Sequence, residues 1–286
     1  MLNIFSNDLI FKNKKIPRTI LGYAPLIGEP YFGHRARLYQ LDLHRNPENI
    51  AKIIMASYNE GVRAINLVND DALIEGFEIA IENGCNMEVI ATIGKSEVDY
   101  MNPNYDIAKE VDWEDDIELF SHYNTPIMVI DEFITDGYDW SLNKEILEAI
   151  NNTDSLSAIN TAFPCKTTKE ILLKDFDISL FDFYMIPLNK LAYMMDIPSF
   201  LEDERTEFKN EISKLDKKII ATRTLGAGIL TPEEAFKFIK SFDFADLIAV
   251  GVSNEKEVKQ DFGLLKELWF YFFTIKQYSV EYCKYK

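Results

Sequence analysis

Polar side chains suited to acid–base chemistry recur where the apolar runs of this sequence stop. Asn66 closes one run, and Asp71 follows shortly after. Lys95 lies two residues past the run Glu88 to Ile93, and Asp131 and Glu132 directly follow Pro126 to Ile130. Carboxyl and ammonium groups converging from successive segments can hold and move protons. Asn66, Asp71, Lys95, Asp131 and Glu132 are therefore the candidate catalytic set. Further along, Asn189, Arg223, Ser253 and Asn254 also follow apolar runs. Two glycine turns, Gly226-Ala227-Gly228 and Gly251-Val252-Ser253-Asn254, lead into helix starts. Such turns leave backbone N–H groups for an anion and are expected to bind phosphate. Asn189, Arg223, Gly226, Gly228, Gly251, Ser253 and Asn254 form the candidate cofactor-binding set. No metal-binding set is assigned: His34, His44 and His122 share no spacing, and Cys85, Cys165 and Cys283 form no CxxC. A cation held by the carboxylates would need oxygens converging on one point.

Repeated strand–helix units must position these groups. Leu9-Ile10-Phe11 and Lys15-Ile16 flank Lys12-Asn13-Lys14 as a short hairpin. Strands follow at Thr19 to Ala24, Arg63 to Val68, Glu88 to Ile93, Pro126 to Ile130, Ser157 to Thr161, Phe183 to Ile186, Lys218 to Thr222 and Leu247 to Val250. Helices lie between most of them. The stretch Tyr31 to Tyr39 reads as a long aromatic and basic connection. Asn46-Pro47 opens a helix, Ser141 is expected to cap another, and Thr231-Pro232-Glu233-Glu234 carries an N-cap, an N1 proline and a capping box. Eight parallel units with no linker predict one α/β domain over 1–286. This is a single (β/α)8 TIM barrel with an N-terminal β-hairpin (1–18) and a long aromatic C-terminal helix (255–286). A doubly wound open sheet is the alternative.

The composition narrows the partners. Of 286 residues 47% are apolar, and 30 basic against 47 acidic residues give a net charge of −17. That charge argues against nucleic acid and anionic membranes and leaves a small molecule as the expected ligand. No run is long enough to span a bilayer, the N-terminus lacks an apolar signal region, and the scattered cysteines suit a reducing compartment, so a cytoplasmic location is expected. The last helix carries apolar residues all round, among them Trp269, Phe270, Tyr271, Phe272 and Phe273, and is expected to cover the barrel and meet a second subunit.

In order and spacing the chain resembles the compact bacterial and archaeal aldo/keto reductases. The parts that carry the resemblance are Lys15-Ile16-Pro17-Arg18-Thr19-Ile20-Leu21-Gly22, Glu60-Gly61-Val62-Arg63-Ala64-Ile65, Tyr184-Met185-Ile186-Pro187-Leu188-Asn189, Leu225-Gly226-Ala227-Gly228-Ile229-Leu230 and Val250-Gly251-Val252-Ser253-Asn254. The resemblance implies a barrel that binds NADP or NAD and delivers hydride to a carbonyl. It also implies an Asp, Tyr, Lys and His tetrad, and there this sequence departs. The Asp position falls on Asn66, the Tyr near Asp71, the Lys near Ile93 with Lys95 two residues on, and the His near Asp131 or Glu132. The pair that holds the nicotinamide falls near Ala162 and Phe163. A neighbourhood of Asp70, Asp71, Asp131 and Glu132 would raise carboxyl pKa values and repel a developing oxyanion. Tyr23, Tyr31 or Lys95 would have to supply the proton.

Three functions stand on this reading. One is an NAD(P)-linked oxidoreductase with non-standard acid–base residues. Another is a ligand-binding barrel without hydride chemistry. The third is an enzyme using Asp71, Asp131 and Glu132, with or without a metal, on a phosphorylated or polyhydroxy compound.

Overall fold

Ten strands form in the computed structural model, which describes residues 8–96, 98–100, 102–197 and 201–282, the last fourteen of these by backbone alone. The hairpin is β1 (Leu9–Phe11) with β2 (Lys14–Ile16). The barrel strands are β3 (Thr19–Gly22), β4 (Ala64–Leu67), β5 (Glu88–Ile93), β6 (Ile127–Ile130), β7 (Leu156–Asn160), β8 (Phe183–Pro187), β9 (Lys218–Thr222) and β10 (Leu247–Gly251). All eight pair in parallel in chain order, and β10 closes on β3 through Ile248↔Thr19 to Gly251↔Gly22. The chain is an eight-stranded closed TIM barrel and not an open sheet.

The strands read as nearly continuous apolar runs because both faces are covered. Alternate residues point in opposite directions, which separates two cores. Ile20, Ala64, Ile90, Val129, Ala158, Phe183 and Ile220 fill the barrel, and Leu9 and Ile16 of the hairpin join them. The hairpin thus closes the end of the barrel at which the strands begin. Leu21, Ile65, Val89, Met128, Ile159, Tyr184 and Ile219 face outward into a second, larger cluster with the helices. Helix Pro47–Asn59 packs on Asp71–Glu82 through Gly76, where a Cβ would lie 2.9 Å from Pro47 O.

The helix starts follow local rules, with two differences from the sequence reading. Thr231 caps Pro232–Phe242 with its capping box in place, and Asn46 caps Pro47–Asn59. The cap of Trp140–Asn151 is Asp139, not Ser141, because the Asp139 carboxylate accepts from Leu142 N at 3.2 Å. The expected connection after β3 is largely helical, with a short helix Ala24–Ile27, a 3-10 turn Pro30–Phe32 and a helix His34–Asp42. Its alternation of charged and aromatic residues masks a helical pattern. The closing helix runs Glu255–Tyr282; the aromatic side chains from Trp269 on, and with them the expected subunit contact, lie outside the described residues. Among the described residues no helix is long and apolar enough to cross a membrane.

Candidate functional site

The barrel interior ends in a polar ring. Two residues beyond the inward-facing Ile20, Ala64, Ile90, Ala158 and Ile220 stand Gly22, Asn66, Thr92, Asn160 and Thr222. Together with Gly251 they line a cavity of about 270 Å³ at the strand C-terminal end, where barrels place their ligand sites. Asn66 is fixed there by donating to Ile90 O at 2.7 Å and Thr92 Oγ1 at 3.0 Å.

Loops after β3, β5, β6 and β9 build the wall above this ring. Arg223 leaves β9 with φ of 51°, in the left-handed region that non-glycine residues avoid. Its Nη2 donates to Glu132 Oε1 at 2.6 Å, and both side chains are 6% exposed. The guanidinium centre lies 5.0 Å from the Tyr31 ring and 6.0 Å from that of Tyr100, and these two rings meet edge-on at 5.6 Å. The Tyr31 hydroxyl lies within hydrogen-bonding reach of the guanidinium, but Arg223 Nη1 is buried without an acceptor in good alignment. Burial works against the Arg223 cation, but Glu132 more than compensates and its pKa is raised. Burial likewise pushes the phenols of Tyr23, Tyr31 and Tyr100 upward, with nearby carboxylates adding to it, so all three stay protonated at neutral pH.

A second ion pair lies behind this wall. Lys95 Nζ is 3.2 Å from Glu29 Oε1, and its aligned hydrogen bond goes to Ser96 O. Burial would lower the ammonium pKa, but Glu29 and Asp131 raise it on balance. Asp131, 2% exposed, caps the following turn by accepting from Phe133 N at 3.0 Å. Burial pushes its carboxyl up to about 7; Lys95 opposes the shift and Glu132 adds to it. Glu29 is raised as well, again chiefly by burial. Glu29, Asp131 and Glu132 share this region with the cations Lys95 and Arg223. The expected acidic wall is therefore largely matched by cations.

The predicted residues divide between the cavity and its supports. Asn66, Glu132, Arg223, Gly228 and Gly251 line the cavity, with Lys95 and Asp131 behind them. Gly228 is held at φ 76°, and its carbonyl accepts from Arg35 Nη1 at 3.0 Å. A Cβ there would come within 1.9 Å of that nitrogen. Asn189 is a loop organiser: it accepts from Leu191 N and Tyr193 N, and the Tyr193 hydroxyl then donates to Tyr31 O at 3.0 Å. Asp71 is exposed in the first turn of its helix, away from the cavity wall, and Asp70 is that helix's cap. Among the described residues no group of three or more His, Cys, Asp or Glu could hold a metal.

Several donors of the two glycine turns are engaged within the protein. Gly226 N, Gly228 N, Ile229 N and Leu230 N all donate to carbonyls within the turn. Ser253 donates from its backbone N at 2.7 Å and its hydroxyl at 2.8 Å to Glu257 Oε2, while Asn254 Oδ1 accepts from Glu257 N. A carboxylate of the chain itself thus occupies the position read as a phosphate site.

Four residues of this site were not legible beforehand. Glu29 and Tyr100 come from loops whose path the sequence does not give. Glu257 and Asp261 did leave a signal, an i,i+4 acidic pair just after a glycine turn. Both line the cavity, and Asp261 is 3% exposed with Oδ1 unpartnered. Burial, then the neighbouring Glu257, pushes Asp261 up to about 7.

Comparison with solved structures agrees with the fold. A protein described as an aldo-keto reductase from Pseudomonas aeruginosa superposes with a TM-score of 0.58 at 10% identity, covering 93% of this chain and 99% of that one. An aldo-keto reductase from a Medee basin deep-sea metagenome library gives 0.54 at 10% identity, covering 90% and 88%. An aspartate-to-alanine variant of Gox0644 in complex with NADPH gives 0.53 at 13% identity, covering 87% and 83%. No family model matches the sequence, and no curated protein matches it. The chain has a closed barrel fold similar to that of these aldo-keto reductases.

Proposed function

We propose that this barrel takes a small carbonyl or carboxylate compound into its mouth and holds the compound's oxygen on Arg223. The observation that carries the reading is the unpartnered, buried Nη1 of Arg223, beside an Nη2 already fixed by Glu132. A donor oriented before the ligand arrives stabilises negative charge on oxygen without reorganising. Tyr31 and Tyr100 flank it as protonated phenols.

NAD(P)-linked reduction of such a compound is the second reading, favoured by the likeness to aldo-keto reductase barrels and by the one crystallised with NADPH. A nicotinamide cofactor would supply hydride. The groups at the Ser253 turn do not fit its phosphates: the turn's donors already hold Glu257, and Asp261 stands beside them.

Tryptophan fluorescence titration with pyruvate and with NADPH separates the readings. Saturable pyruvate binding that Arg223→Lys weakens at least about tenfold, with no response to millimolar NADPH, supports the first. NADPH saturation without pyruvate binding to the free protein would reverse the ranking.

A further inference from the structure

Among the described residues, buried side-chain polar atoms without a partner occur at two cavity-lining positions, Arg223 Nη1 and Asp261 Oδ1. One is a cationic donor and the other a carboxyl acceptor, and both residues line the same cavity. Polar atoms shut away from water are normally satisfied, so each marks a place where a ligand atom of opposite character fits. Asp261 is no isolated surface acid. It lies one helical turn from Glu257 on the same face, and the Glu257 carboxylate is already spent on Ser253. Two adjacent carboxylates in a wall are relieved by a cation, and among the described residues Asp261 accepts no hydrogen bond at Oδ1 while Glu257 is held by Ser253.

We propose that the cavity takes a bipolar small molecule, its carbonyl or carboxylate oxygen on Arg223 and a primary ammonium group on Asp261, with Glu257 alongside. The proposal rests on the Arg223 reading above and adds the second end. It gives the ligand class as amino acids or amino-carbonyl compounds with the two groups separated by a short chain.

The test is calorimetric titration of the full chain with β-alanine, 4-aminobutanoate, 5-aminopentanoate and 6-aminohexanoate, each against the carboxylate of equal length without its amine. At least one amino compound is expected to bind about tenfold or more tightly than its carboxylate partner. Asp261→Asn is expected to remove that gain, and Glu257→Gln to reduce it. Circular dichroism melts confirm that both variants fold. Carboxylate binding with no gain from the amine, or a gain that survives Asp261→Asn, overturns the bipolar ligand and leaves the Arg223 reading intact. Binding of neither set overturns both.

Discussion

Ser253 gives both its backbone N–H and its hydroxyl to the carboxylate of Glu257, at 2.7 and 2.8 Å. The first turn of the closing helix therefore carries its own anion, held by the donors and the positive helix end that would attract an external one. The same arrangement recurs at helix Pro164–Leu173, where Asp196 accepts from Cys165 N and Lys166 N.

Removing that internal anion should make room for another. Glu257→Ala is expected to tighten binding of inorganic phosphate or NADPH by at least about tenfold, while lowering stability by about 1 kcal/mol through the lost cap. Equilibrium titration and urea melts read the two effects. An unchanged phosphate affinity would show that Glu257 does not block the turn.

The Glu132–Arg223 pair is buried on both sides, so breaking it leaves a naked charge. Arg223→Met is expected to destabilise the fold by about 3–5 kcal/mol, and Arg223→Met with Glu132→Leu to recover most of that loss. Urea denaturation of the single and double variants checks this. A single variant within about 1 kcal/mol of the parent would mean the pair is effectively solvated.

Asp131 and Asp136 are buried carboxyls pushed from 3.8 up to about 7, in each case chiefly by burial. Asp136 accepts from the hydroxyls of Thr161 and Thr167 and from Ala162 N. With folded pKa values above unfolded ones, the folded chain holds the extra protons. Their contribution to stability is greatest below about pH 4 and is lost as pH rises to about 7. Between pH 5 and 7.5, roughly spanning the upper part of that window, the melting temperature should fall, and less steeply in Asp131→Asn. A melting temperature that climbs through that interval, with the same slope in the variant, contradicts the assignment.

Cys165 lies near the barrel mouth but is not poised as a nucleophile. Burial, with Asp196 adding to it, pushes its thiol up to about 12. Alkylation by iodoacetamide at pH 8 should be slower than that of a free cysteine by on the order of a hundredfold, and faster after Asp196→Asn. Mass spectrometry of the labelled Cys165 peptide gives the rate.

Much of the scaffold was readable along the chain. Alternation of apolar residues with helical patterns gave eight units, and Thr231 with Pro232 and Glu234 marked a helix start to the residue. The ends of strands pointed to Asn66, Glu132 and Arg223, because a parallel barrel puts every such end on one rim. These features depend on local sterics and on period, which neighbouring residues determine. The pairing of Glu132 with Arg223, 91 positions apart, does not. Nor does the support of Tyr31 by the Asn189 loop, or the place of Arg223 and Asp261 in the lining of one cavity. Each is set by closure of the ring and by the paths of the loops above it. Charges read along a chain have no neighbours until that closure brings them within a few ångströms, and only then can a carboxylate be assigned as a ligand group, a counter-ion or a cap.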